Sequence, residues 1–118
     1  MYRPFLAVVL TYSGKSSGKV FCLVDSGADY CLMPASLGEL IGIDIKSGTE
    51  REIIGIANQP ARTYLHTVTM TVPNLASVDM SVAFSYDLKY GVLGQEDFFK
   101  SFRVIFERKR LQFQVLDA

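Results

Sequence analysis

Val24-Asp25-Ser26-Gly27-Ala28-Asp29 places a carboxylate where an apolar run, residues 21–24, abruptly meets a serine and a glycine. A strand ending this way can expose its acid beside closely approaching backbone, because glycine carries no Cβ to hold another chain segment away. Taken alone, Asp25-Ser26-Gly27 would suit an ordinary turn. Its setting argues for more: Leu32-Met33-Pro34 turns apolar again at once, so the acid stands between two segments directed at a core.

Working outward, residues 5–12 and 19–24 are apolar and rich in β-branched side chains, and the small residues 13–18 between them suit a hairpin loop. The second strand delivers Asp25 at its end. Residues 34–40 predict a short helix with Pro34 in its first turn, Ala35, Leu37 and Leu40 on one apolar side, and Gly42 helping to end it. Two more strands, 50–57 and 62–72, flank Asn58-Gln59-Pro60. In the second, Thr63, Leu65, Thr67, Thr69 and Thr71 share one face and Tyr64, His66, Val68, Met70 and Val72 the other. Residues 78–84 alternate as a strand with Val78, Met80, Val82 and Phe84 on its buried side. After Val92-Leu93-Gly94, residues 95–102 predict a short helix with Glu96 and Asp97 near its positive end, and 103–107 with 111–115 a terminal hairpin across Arg108-Lys109-Arg110. Many short strands and only two short helices make the chain mainly β, a barrel or a sandwich.

At 118 residues, 49% of them hydrophobic, the chain fits a single domain over residues 1–118 with a genuine core. Twelve basic and twelve acidic residues cancel, so no overall field argues for nucleic acid or an acidic membrane as partner. The apolar start is one strand long, far short of the roughly 20 residues that span a bilayer, and the expectation is a soluble, cytoplasmic protein. Cys22 and Cys31 are too few for a disulfide scaffold or a four-ligand zinc site and read as small buried hydrophobes. His66, the sole histidine, reads as structural, and neither cysteine has the electropositive surroundings of an activated thiol. Gly14-Lys15-Ser16 lacks the upstream glycine and following helix of a phosphate loop.

The order of hairpin, Val24-Asp25-Ser26-Gly27-Ala28, a glycine-containing hairpin around Ile53-Ile54-Gly55-Ile56-Ala57, then Val92-Leu93-Gly94 and a short helix resembles the retropepsin family. These are single-domain aspartic proteases that assemble one active site from two copies of a chain. The resemblance covers nearly the whole sequence and implies a closed acid-protease barrel acting as a homodimer on an extended peptide or protein substrate. By that resemblance Asp25 is the catalytic carboxylate. Ser26 braces the two active-site loops across the dimer, and Gly27 lets substrate backbone approach. Residues 52–62 form the flap, and Val92 and Leu93 pack behind the catalytic loop with Gly94 as support. It implies substrate contacts at Gly27, Ala28, Asp29, Ile54, Gly55, Ile56 and Ala57, with Ala28, Ile54 and Ile56 as apolar walls, and neither metal nor organic cofactor. Two departures stand out. Gln95 occupies the place where viral members often carry an arginine that pairs with the residue matching Asp29, which leaves Arg3 or Arg103 as candidate partners. The flap holds Asn58-Gln59-Pro60 instead of a run of glycines. A non-catalytic peptide-binding or dimerisation module of the same fold is the alternative reading, and a β-barrel interaction domain unrelated to proteolysis a third.

Overall fold

The computed structural model describes residues 4–25, 27–54, 60–94, 98–107 and 112–117, with the backbone alone at 54, 99–100, 103–107, 112–114 and 117. In chain order the elements are β1 (Phe5–Tyr12), β2 (Lys15–Val24), β3 (Leu32–Pro34), α1 (Ala35–Leu40), a 3-10 turn at Ile45–Ser47, β4 (Thr49–Ile54), β5 (Pro60–Val72), β6 (Ala76–Ser85), β7 (Gly91–Leu93), α2 (Phe98–Ser101), β8 (Phe102–Glu107) and β9 (Gln112–Asp117).

The expected loop over 13–18 is only two residues long. Ser13 and Gly14 have φ of 47° and 81°, the pair of positive values that lets a two-residue turn follow the twist of its strands. Lys15 already pairs with Tyr12. The other small residues of that stretch build a bulge inside β2: Val9 pairs with Lys19 but Thr11 with Ser16, Gly18 takes φ 72°, and Ser17 Oγ accepts the Leu10 N–H at 3.0 Å.

Strands β1-β2-β7-β3-β6-β5 are hydrogen-bonded in that order, and β5 pairs back to β1, closing a six-stranded barrel. The length of β5 makes closure possible. One edge pairs with β6 from Tyr64 to Val72, while the other takes β4 at 60–65 and β1 at 69–71. Its predicted faces hold, with Tyr64, Val68, Met70 and Val72 buried inward and Thr67 exposed. Thr63 departs from the pattern: it is fully buried and donates its hydroxyl to Arg51 O at 2.8 Å, which satisfies the polar atom. On β6 the expected side is buried at Met80, Val82 and Phe84, but Ala83 and Ser85 are buried as well, because β3 pairs alongside and a second apolar cluster covers the other face.

Helix α1 turns Ala35 and Leu37 inward as expected, but not Leu40. Ala35, Gly38 and the following Ile41 are buried, while Leu40 is 68% exposed. A Cβ at Gly38 would lie 2.9 Å from the Phe84 ring, so glycine lets the helix seat on that face. Gly42, at φ 90°, ends it. Toward the C-terminus Phe102 opens β8 instead of closing a helix, and its ring stacks on Phe98 with centroids 4.9 Å apart. Both rings are fully buried, as is Phe84, and each such side chain contributes about 1.5–3 kcal/mol of hydrophobic stabilisation. β8 and β9 form the expected terminal hairpin as a separate two-stranded sheet, with Val115 packed against the core. Residues 95–97 and 108–111 lie outside the described residues. Among the described residues no helix is long and apolar enough to cross a membrane.

Candidate active site

β2 and β3 follow each other in sequence but are not neighbours in the sheet. β7 lies between them, parallel to β2 through Cys22–Gly91, Leu23–Val92 and Val24–Leu93, and antiparallel to β3 at Leu32–Val92. The chain leaving Val24 must therefore cross the carboxyl end of β7 to reach Leu32. Gly94 sits at that crossing. A Cβ there would run into the Tyr30 carbonyl and approach Ala28 O to 2.8 Å, so the loop passes directly over a position that only glycine fits.

Asp25 is the first residue of this crossing. Its N–H donates to Leu93 O at 3.0 Å, extending the β2–β7 ladder by one bond. Val24 N–H donates to Pro4 O at 2.8 Å and holds the other flank. The Asp25 carbonyl accepts the Ala28 N–H at 3.1 Å, and its carboxylate Oδ1 accepts the Gly27 N–H at 2.9 Å. The half-buried carboxylate is thus oriented by the backbone of its own loop, on a rigid strand end. Phe98 N–H donates to Gly94 O at 3.1 Å, linking the start of α2 to the same crossing.

Of the other residues singled out from the sequence, Gly27 and Asp29 are exposed on the loop and Ala28 is half-buried. Ser26, Gly55, Ile56 and Ala57 lie outside the described residues, as do Asn58, Gln59, Gln95 and Arg3; for Ile54 and Arg103 only the backbone is described. β4 and β5 do pair as a hairpin, from Thr49–Leu65 up to Ile54–Pro60. Val92 and Leu93 lie beside the start of the loop but serve different clusters. Successive side chains of a strand point to opposite faces, so Leu93 enters the main core while Val92 joins a second cluster with Leu32 and Ala83. Ala28, Tyr30, Ile53, Leu65, Leu88 and Tyr90 pack against that cluster, an apolar wall running from the Asp25 loop to β4. Sequence reasoning missed most of this wall, because Leu88 and Tyr90 sit in a turn without periodicity. The alternation of Val92 with Leu93 was the one signal that could have found it.

Cys22 and Cys31 are buried and not joined in a disulfide, and burial, with Cys31 nearby, pushes the Cys22 thiol up to about 12. A thiol held protonated in this way is not an activated nucleophile, so Cys22 is not one. His66 is structural: its Nε2 lies 2.8 Å from Ile45 O, which makes that nitrogen the donor. Among the described residues no group of three His, Cys, Asp or Glu is arranged to hold a metal ion.

A family model described as "Aspartyl protease" matches residues 10–96, a span that includes the whole crossing from Asp25 to Gly94. The chain belongs to the aspartyl protease family. Solved structures show that this aspartyl protease has the retropepsin-like fold. It is similar to a retropepsin-like aspartic protease from Rickettsia conorii (TM-score 0.66, 14% identity, 95% of this chain and 89% of that one). The retroviral protease-like domain of Ddi1 from Leishmania major matches with TM-score 0.62 at 14% identity over 98% and 94% of the two chains. EIAV protease in complex with the inhibitor HBY-793 matches with TM-score 0.58 at 17% identity over 78% and 81%. No curated protein sequence matches the chain.

Proposed function

We propose that this aspartyl protease is an endopeptidase whose active site forms from two copies of the chain, each supplying Asp25. The observation that carries the reading is the placement of that carboxylate: half-buried, at a strand end, oriented by the Gly27 N–H and beside an apolar wall. Hydrolysis of this kind takes two neighbouring carboxyl groups. One removes a proton from a water whose oxygen attacks the peptide carbonyl carbon, and the other gives a proton to the carbonyl oxygen. Collapse of the resulting diol breaks the C–N bond, and the leaving amine takes up a proton. Two such carboxyls close together share one proton, because both cannot readily ionise. The sequence holds a single Asp-Ser-Gly motif, so a two-fold axis beside Asp25 provides the second acid.

The substrate lies extended, hydrogen-bonded to loop backbone at Gly27 and Asp29, under the β4–β5 hairpin acting as a flap. Ala28 and Ile53 belong to the apolar wall and favour apolar side chains next to the cut. Asp25→Asn keeps an oxygen able to accept the Gly27 N–H but cannot serve as the base. Cleavage of a diverse peptide library, read by mass spectrometry, is expected for the wild type and absent for Asp25→Asn of unchanged circular dichroism. Equal cleavage by both proteins would overturn the assignment.

A further inference from the structure

The wall segment 88–90 has a second side. Behind it lies an open groove of about 550 Å³ bounded by Phe21 of β2, Pro34, Leu37 and Leu40 of the α1 region, and Leu88 and Lys89. Phe21 is 65% and Leu40 68% exposed, so two large apolar side chains stand in water on its rim. The groove follows a free sheet edge. β2 runs from Lys15 to Val24, yet β7 pairs only with Cys22, Leu23 and Val24. Among the described residues, nothing pairs with the edge of β2 facing away from β1 over 15–21, so alternate N–H and C=O groups there lack a strand partner.

Charge selects the occupant. Among the described residues, Lys89 is the one charged residue lining the groove, and no carboxylate lines it. Lys15 and Lys19 are exposed on the same stretch of β2, and the Lys15 side chain reaches back over Gly42 at the end of α1. Of the two acids next to lining residues in the chain, Asp87 lines a different depression with Tyr64 and Tyr86, and Glu39 accepts the Tyr86 hydroxyl at 3.0 Å, which ties the 86–90 segment to α1.

We infer that this groove is a docking site for an extended segment of another protein, apolar at alternate positions and acidic at its ends, which adds to the free edge of β2. Main-chain hydrogen bonds to residues 15–21 give it its register, Phe21, Leu37 and Leu40 take its apolar side chains, and Lys15, Lys19 and Lys89 meet its carboxylates. The site needs no cleavage, so it stands or falls independently of the protease reading. Because Leu88 and Tyr90 also pack on the active-site cluster, an occupant presses on the back of the wall beside Asp25.

The experiment uses the full chain carrying Asp25→Asn and three short acetylated peptides: one alternating Ile and Thr between Asp-Glu ends, the same with Lys-Lys ends, and the acidic one with a central proline. Binding is followed by amide chemical shifts. The acidic peptide is expected to shift Val20, Phe21 and Gly91, and to bind at least about threefold tighter than the lysine-ended one at low salt, a gap that closes as salt is added. The proline peptide, lacking an N–H for the edge, binds more weakly. Leu40→Asp removes binding with an unchanged thermal midpoint, and Lys89→Glu reduces the preference for acidic ends. Shifts confined to the Asp25 loop, or equal binding of acidic and basic peptides, would overturn the proposal. So would self-association of the protein that Leu40→Asp abolishes, since a second copy would then be the occupant.

Discussion

A methyl group at position 94 would collide with the Tyr30 carbonyl and crowd Ala28 O, both backbone atoms of the crossing that begins at Asp25. Gly94→Ala is therefore expected to lower unfolding free energy by about 1–3 kcal/mol, the usual cost of overpacking, and to reduce peptide cleavage further by displacing the loop. Urea titration beside a cleavage assay checks this; unchanged stability would mean the loop yields freely. Cys22 makes a second test. Its thiol rises from 9.0 to about 12 through burial, so the folded state holds that proton more tightly than the unfolded chain does. The stabilisation is fully present below pH 9 and is lost as pH rises toward about 12, with a slope of about 1.4 kcal/mol per pH unit. Cys22→Ala lacks this titration. The stability gap between wild type and variant, measured by urea unfolding at pH 8, 9 and 10, is expected to narrow above 9, and a constant gap would contradict the desolvated thiol. Asp25 was legible at this scale as the candidate acid, from its apolar approach and the glycine after it. The need for glycine at 94 was not, because the atoms that forbid a side chain there come from residues over sixty positions earlier.

At the scale of elements, the β1–β2 turn shows where local chemistry decides. Ser13 pays a small steric cost at φ 47°, a region asparagine tolerates better. Ser13→Asn is expected to stabilise the protein by about 0.5 kcal/mol in chemical denaturation, and a loss of stability would show that the turn geometry is assigned wrongly. His66 instead fastens one element to another. Its Nε2–H holds Ile45 O at 2.8 Å, and its ring meets Phe84 edge-on with centroids 6.0 Å apart. His66→Phe keeps an aromatic ring but leaves the Ile45 carbonyl with the Gly48 N–H, at 3.2 Å, as its remaining donor, at an expected cost of about 1 kcal/mol. Faster amide exchange over residues 41–48 would accompany it, whereas unchanged exchange there would assign the bond no role. Strand alternation made β5 and β6 readable, and in α1 the helical spacing placed Ala35 and Leu37 correctly but not Leu40, since the packing face centres on Gly38, which carries no hydrophobic signal.

For the whole molecule, the reading that two copies share one site has a direct consequence. When wild type and Asp25→Asn exchange subunits, mixed pairs carry one acid and are inactive. Activity per wild-type chain is expected to fall in proportion to the mutant fraction, followed by fluorogenic cleavage with exchange verified by native mass spectrometry. A constant value in demonstrated mixed dimers would exclude the shared site. The closed barrel itself rests on β5 pairing with β6 along one edge and with β1 along the other, the second a pairing between segments some sixty residues apart.

The sequence by itself determined the local features whose causes are local: the period-two faces of β5, a hairpin between β1 and β2 somewhere within residues 13–18, and an acid set between an apolar strand and a glycine. It also carried the order of motifs that marks the family. Only the tertiary structure decided that β7 inserts between β2 and β3, that Val92 and Leu93 serve opposite sides of it, and that among the described residues the edge of β2 beside Phe21 and Leu40 has no strand neighbour. The reason is physical. Periodicity reports which side of a strand is apolar, but which neighbour covers that side depends on long-range pairing, and no short stretch of the chain contains it.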